Sequence, residues 1–275
     1  MKLAAYAKIN LTLEVFGIRA DGFHGLRSIV MPVTLADELE VSEAEDFSSD
    51  TGYADDLCVK AARAFDPRRG ARISVVKRIP AGGGLGGGSA DAAAVLNALN
   101  QMRGRGKTAA ELAEIGAHVG SDVPALVLGG PVLMEGRGEI VRSLRERLKD
   151  MNPLDLVLAN PGVGVSTAAV FKLTPDRGES AAENASERMI RALESGDRAE
   201  IAAAVMNDLT APAIALEPKI GATLAALHEA GASGVTMSGS GTTVFGLAAD
   251  ADAARAIAAA MRERGYSAWA VETRV

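Results

Sequence analysis

Between Pro80 and Ala90 the chain reads PAGGGLGGGSA, and six of the seven residues from Gly82 to Gly88 are glycine. Glycine loses more conformational freedom on folding than any other residue, so a run this dense implies a need for bare backbone. The pattern ahead of it, Arg72 to Ile79, alternates as a strand. Behind it Ala92, Val95, Leu96 and Leu99 mark one face of a helix. Ser89 is the expected N-cap of that helix. Backbone amides opening onto a helix N-terminus form an anion site, most often for phosphate. The bland alternative is a flexible turn. Gly82, Gly84 and Gly87 satisfy G-x-G-x-x-G by count. A dinucleotide fold would carry that motif in its first βα unit, with an acidic residue about 20 positions on, whereas Gln101 to Lys107 supplies only basic charge. No Gly-Lys-Ser/Thr ends the loop, so it is not a Walker A sequence either. The loop says phosphate without saying which.

The rest of the composition narrows the class. The 275 residues suit one large or two modest domains. The 30 glycines are about 11% of the chain, against a usual ~7%. With 29 Lys plus Arg against 35 Asp plus Glu, the net charge of -6 argues against a general binder of nucleic acid or anionic membrane. Cys58 is the single cysteine, so no internal disulfide forms, and it reads as a small buried apolar residue. His24, His118 and His228 share no zinc-ligand spacing. No apolar run approaches a membrane span, and Lys8 and Asn10 interrupt the N-terminal apolar stretch. These features predict a cytoplasmic protein with no nucleic-acid or membrane partner. They do not set the oligomeric state, for which a monomer or weak homodimer is the expectation.

Leu11, Leu13 and Val15 alternate with Thr12 and Glu14, as in a half-buried strand. Leu26 to Val33 and Glu38 to Val41 read as two further strands, with a turn at ADGFHG before them. Leu57, Ala61, Ala64 and Phe65 recur at helical spacing, Thr108 and Glu111 form a capping box, and Val132 to Val141 reads as a hairpin around EGRGE. A polar stretch near Asp150 divides the chain into residues 1–150 and 151–275. The second part holds strands at Leu154 to Leu158, Gly234 to Met237 and Thr243 to Gly246. It also has alanine-rich helical patterns over Ala181 to Ala230, a helix over Ala251 to Arg264 and a last strand. Strands and helices mix without a regular βαβ repeat, which predicts an α+β fold.

Four polar positions are ambiguous singly. Lys8 in a strand could point to solvent, Asp122 before Val-Pro could cap a helix, and His24 could be a solvated turn residue. Gly239, Ser240 and Gly241 could be a turn or a second phosphate contact. Together they match what phosphoryl transfer needs: a phosphate cradle, a cation and a carboxylate for the hydroxyl proton.

The blocks KINL, PAGGGLGGGSADAAAVLNALN and SGSGTTVF resemble the three motifs of the GHMP small-molecule kinases. ADGFH, GSDVP, EGRGE and NPGVGVST resemble one branch of that family, whose substrate is 4-diphosphocytidyl-2-C-methyl-D-erythritol. The resemblance runs from Ala7 to about Ala258. It implies a two-domain α+β kinase fold, an N-terminal ATP-binding domain and a C-terminal ferredoxin-like domain, with a cleft between them. It implies a small-molecule substrate and transfer of the ATP γ-phosphate to its 2-hydroxyl with Mg²⁺, a step of non-mevalonate isoprenoid synthesis.

Residue by residue, Asp122 matches the family's proton-accepting aspartate, and Lys8 the lysine that holds it and stabilises developing charge. Pro80, Ala81, Gly82, Gly83, Gly84, Leu85, Gly86, Gly87, Gly88, Ser89 and Ala90 match the ATP loop, with Ser89 as its phosphate-binding hydroxyl. Lys77 and Asp56 fall near the adenine; Asn10, Phe23, His24, Thr167 and Phe171 match the cytidyl-diphosphate pocket. Phe23 stands where the family often has tyrosine, which keeps the stacking face and drops a hydroxyl. Asp56 stands where asparagine is common. Alternatives of other substrate or class are a homoserine- or mevalonate-type GHMP kinase, and a nucleotide-binding regulator without catalysis.

Overall fold

The computed structural model describes residues 1–175 and 185–275. The chain opens with two long antiparallel strands, β1 (Lys2–Ile18) and β2 (His24–Glu43). Then come β3 (Phe47–Ser49), α1 (Leu57–Phe65), β4 (Ala71–Val76), α2 (Gly87–Met102), α3 (Ala109–Ala117) and α4 (Val123–Leu128). A hairpin, β5 (Val132–Gly136) and β6 (Ile140–Ser143), precedes β7 (Asp155–Asn160). The rest is α5 (Thr167–Leu173), α6 (Ala185–Ser195), α7 (Arg198–Ala204), β8 (Met206–Asn207), α8 (Thr210–Leu216), α9 (Lys219–Glu229), β9 (Ser233–Met237), β10 (Val244–Leu247), α10 (Ala251–Glu263) and β11 (Ser267–Glu272). This is the expected α+β architecture. The first residues of the helical pattern expected from Ala181 lie outside the described residues.

Two sheets carry the fold. The first has seven strands in the order β3-β4-β2-β1-β8, and β2 also pairs with the β5–β6 hairpin. The second has four antiparallel strands in the order β11-β7-β10-β9. Helices α1, α2 and α4 pack against the first sheet and α3 lies on them, and α2 presents Ala92, Val95, Leu96 and Leu99 to the core that holds Leu39, Val41 and Ile73. The alanines of α2 (Ala90, Ala92, Ala93, Ala94 and Ala98) are buried as well, so it is enclosed nearly all round. Helices α9 and α10 cover one face of the second sheet through Ile220, Leu227, Ile257 and Met261. Its opposite face shares one core with the first sheet and α6, joining Ile9, Leu11, Ile29, Leu158, Phe245 and Ile190.

Several strand expectations change. The runs at Leu26–Val33 and Glu38–Val41 are parts of one strand, because β2 crosses β1, β4 and β5 in turn. The alternation in β1 does not mark a solvent face, since every residue from Ala7 to Val15 is buried. Asn10 faces Val30 and Thr12 faces Ile29, which leaves Leu11 as the extra residue of a β-bulge. The bulge shifts the side-chain alternation by one, so Lys8, Asn10 and Leu13 all line the same cavity. Thr12 and Glu14 turn the other way. Glu14 accepts the backbone N–H groups of Ala185 and Ser186, each at 3.1 Å, and the Ser186 hydroxyl at 2.7 Å. A buried carboxylate is thus satisfied by the free amides that open α6. In α1 the buried face is Cys58, Ala61, Ala62 and Phe65, while Leu57 is half-buried and Ala64 is exposed. The strand expected over Arg72 to Ile79 stops at Val76.

Candidate active site

The glycine loop crosses between the two halves of the molecule. Gly84 has φ +77°, and a Cβ there would overlap the Ser238 carbonyl oxygen. Ser238 Oγ donates to the Gly84 carbonyl at 3.0 Å, and Thr243 N–H donates to the Gly83 carbonyl at 3.0 Å. Asn160 Nδ2 supports Thr243 Oγ1 at 2.9 Å. Bare backbone is therefore used for packing against the Gly239–Gly241 loop as well as for any anion. Leu85 is buried, and its carbonyl accepts the Lys8 backbone N–H at 3.0 Å, which ties the loop to β1.

The expected cap at Ser89 is not formed. Helix α2 begins at Gly87, with Gly86 as N-cap in the left-handed region (φ 68°) and no side-chain cap bond. Ser89 sits inside the first turn, its hydroxyl left available. A Cβ on Gly120 would lie 3.8 Å from Ser89 Oγ, which puts this hydroxyl beside the segment carrying Asp122.

Asp122 occupies the N-cap position of α4 but makes no capping hydrogen bond, and Pro124 follows within the first turn. Its carboxylate faces Lys8 instead, with Oδ2 3.5 Å from Nζ. Lys8 is not a solvent-pointing strand lysine: its side chain is 4% exposed, and Nζ donates to Asn10 Oδ1 at 2.7 Å. Asn10 Nδ2 in turn donates to Ser28 Oγ at 2.8 Å. The ammonium is thus aimed by a buried chain of polar groups.

Two cavities meet at the loop. The larger, about 870 Å³, is lined by Lys8, Asn10, Phe23, His24, Asp122, Thr167, Phe171 and Gly239 to Gly241. The smaller, about 320 Å³, is lined by Asp56, Lys77 and Pro80 to Gly84, then Gly86 to Ser89. Gly82, Gly84, Gly86 and Ser89 line both. In the larger cavity the His24 and Phe171 rings lie 5.7 Å apart at 33°, and His24 Nδ1 is 2.9 Å from the Phe16 carbonyl oxygen. Thr167 and Ser240 hydroxyls are 2.7 Å apart. Phe23 is exposed, with the Arg137 guanidinium 5.3 Å from its ring centre. Leu85 and Ala90, expected in the ATP loop, point into the core.

Asp56 is placed at the smaller cavity, but as a helix cap. It accepts the N–H groups of Cys58 at 2.7 Å and Val59 at 3.4 Å, and the Thr51 hydroxyl at 2.5 Å. Burial pushes its carboxyl up, but these bonds and one from Ser49 outweigh that and hold it below the usual range. Burial pushes the Cys58 thiol up, as its expected structural role requires.

The family follows from this geometry and from comparison with known proteins. The GHMP kinases N terminal domain model matches residues 56–130, and the GHMP kinases C terminal model matches residues 189–267. A 4-diphosphocytidyl-2-C-methyl-D-erythritol kinase from Pelotomaculum thermopropionicum is 42% identical, covering 94% of this chain and 92% of the relative. The chain belongs to the 4-diphosphocytidyl-2-C-methyl-D-erythritol kinase family of GHMP kinases. A crystal structure titled as a 4-(cytidine 5'-diphospho)-2C-methyl-D-erythritol kinase superposes with a TM-score of 0.84 at 34% identity, over 100% of both chains. A homoserine kinase from Cytophaga hutchinsonii superposes at a TM-score of 0.75 over 100% of this chain and 94% of its own, with 18% identity, a likeness of fold alone.

The sequence reading missed several residues at these cavities. Tyr53 and Thr51 line the smaller one from an irregular segment that has no pattern to flag it. Arg137 and Lys172 bring cations to the larger one. Asp91, on the second turn of α2, reaches the smaller cavity from a position that looked like plain helix. Among the described residues, no helix is long and apolar enough to cross a membrane.

Proposed function

We propose that this chain transfers the γ-phosphate of ATP to the 2-hydroxyl of 4-diphosphocytidyl-2-C-methyl-D-erythritol, a step of non-mevalonate isoprenoid precursor synthesis. The observation that carries the reading is the division of the cleft by the glycine loop, with the Lys8–Asp122 pair on the larger side. The smaller cavity suits a nucleotide base, with Tyr53, Leu57 and Ile79 as apolar walls beside polar Lys77. The larger suits the cytidyl substrate, whose pyrimidine has faces for Phe23 and Phe171 and polar edges for His24.

The phosphates then lie along Gly82 to Ser89, where both cavities open. The substrate hydroxyl oxygen bonds to the γ-phosphorus as the bond from that phosphorus to the β–γ bridging oxygen breaks. The hydroxyl proton passes to an Asp122 carboxylate oxygen, and ADP leaves. The transition state is loose, so positioning and charge matter more than strength of the base. Lys8, aimed by Asn10, places a buried positive charge beside both Asp122 and the transferring group.

Mg²⁺ belongs to this reading as well. Among the described residues no group of three or more His, Cys, Asp or Glu is arranged for a metal. That fits an ion carried mainly by phosphate and water oxygens, and among the described residues Asp122 is the one carboxylate lining the larger cavity that would complete its shell. When bound, the ion neutralises charge on the β- and γ-phosphates.

The homoserine and mevalonate alternatives are disfavoured by the aromatic cluster of Phe23, His24 and Phe171, which a small aliphatic alcohol would leave uncovered. The regulator alternative is disfavoured by the Lys8–Asp122 contact. Phosphorus NMR of the product tests the reading: a phosphomonoester signal with the diphosphate retained is expected. A product phosphorylated at another hydroxyl would contradict the assignment of the 2-position.

A further inference from the structure

Beside the smaller cavity lies a charged cluster that the transfer step does not use. Lys77, just past β4, donates its Nζ to Asp37 Oδ2 and to Asp91 Oδ2, the latter at 2.7 Å. Asp37 comes from β2 and is fully buried; its Oδ1 accepts the backbone N–H groups of Arg78 and Ile79, the latter at 2.8 Å. Asp91 is 2% exposed and lines the cavity. Its Oδ1 is buried without a hydrogen-bond partner among the described residues.

One ammonium facing two ionised carboxylates would leave a net negative charge in the interior, and an acceptor-only oxygen with nothing to accept. Both are costly. A proton on Asp91 removes the excess charge and lets its carboxyl donate as well as accept, with the Asp37 side chain as a hydrogen-bonding neighbour. Burial and the nearby Asp37 push Asp91 up to about 7 in spite of Lys77. Burial works against the Lys77 charge, but the two carboxylates outweigh it and hold its ammonium above the usual range. From α1 the Cys58 thiol feels both Asp91 and Asp56; it stays neutral, and Asp56 is engaged as the helix cap.

We propose that Asp91 carries a proton shared with Asp37 beside Lys77, and that nucleotide binding in the smaller cavity depends on that proton. The inference rests on the reading of this cavity as the ATP site. ATP is strongly anionic, and an Asp91 that loses its proton adds a negative charge to the wall of its pocket. By linkage, ATP then favours the protonated form and takes up a proton on binding near neutral pH. Asparagine has the shape of a protonated aspartate, with an amide to donate to Asp37 and an oxygen to accept from Lys77. Asp91→Asn therefore keeps the neutral state at every pH.

The test is calorimetric titration of the full chain with Mg-ATP, without the alcohol substrate, from about pH 6 to about pH 9. In the wild type the Kd is expected to weaken about five- to tenfold over that range, and Asp91→Asn removes this dependence. Near pH 7 the wild-type heat should vary with the ionisation enthalpy of the buffer, as net proton uptake requires, and this arm needs no variant. A wild-type profile that is flat, or that Asp91→Asn reproduces, would overturn the inference while leaving the ATP site intact. No ATP binding at any pH would overturn the ATP-site reading and the inference with it.

Discussion

Lys8 Nζ lies 3.5 Å from Asp122 Oδ2 while donating to Asn10 Oδ1 at 2.7 Å, so one buried ammonium joins the carboxylate to the first strand. The bulge at Leu11 is what sets Asn10 and Leu13 on the same side of that strand. The proposed chemistry depends on this pair.

Asp122→Asn should fold normally, because the side chain caps nothing and is about one-third exposed. Its kcat should fall by about 10²–10⁴-fold, with a much smaller loss of Mg-ATP affinity. Single-turnover rates together with a nucleotide-binding titration check both halves of this expectation.

Lys8→Met keeps the stem of the side chain and removes the charge. Rates should fall about 10²–10³-fold. Asn10 Oδ1 loses its donor in the process, so an unsatisfied buried acceptor should lower stability by about 1–3 kcal/mol. Denaturant titration alongside kinetics separates the two losses.

Gly84→Ala and Gly82→Ala should differ. Both positions have positive φ, but a Cβ at Gly82 meets open space whereas one at Gly84 meets the Ser238 backbone. Gly82→Ala should cost about 1 kcal/mol from backbone strain. Gly84→Ala should cost more than that and should disturb the Gly239–Gly241 loop. The order of the denaturation midpoints is the check, and equal midpoints would contradict the packing described for the loop.

Arg137→Met removes the guanidinium over the Phe23 ring. It should raise KM for the cytidyl substrate severalfold and leave KM for ATP unchanged, since Arg137 lines only the larger cavity of the two. Steady-state kinetics with each substrate varied in turn distinguishes the cavities.

Stability should also respond to pH through Asp91. In the fold it holds its proton to about 7, whereas its ordinary value is 3.8. Between those values the native state binds more protons than the unfolded chain, so stability falls as pH rises through that window. Asp91→Asn should therefore melt higher than the wild type near pH 8 and gain much less near pH 4. Thermal melts across that range would show a constant difference if Asp91 titrated alike in both states.

Much of the fold was legible because its signals are local. The capping box of Thr108 and Glu111 forms as expected, and the EGRGE turn joins β5 to β6. The candidate site was legible where motifs carried it, at Lys8, Asp122 and the glycine loop. What stayed hidden depends on distant partners. Glu14 looked like a solvent-facing strand residue until α6 supplied amides to it from 171 positions away. Ser89 looked like a cap because serine favours that position, but the left-handed Gly86 starts the helix three residues earlier. The trio of Asp37, Lys77 and Asp91 spans 40 and 14 positions and belongs to no local pattern.

The most direct test of the central claim is ADP release by the purified protein with Mg-ATP and 4-diphosphocytidyl-2-C-methyl-D-erythritol, set against methylerythritol without the cytidyl group. Turnover with the first and none with the second is the predicted result, with the pocket of Phe23, His24 and Phe171 reading the nucleotide. Equal turnover with both, or with neither, would contradict it.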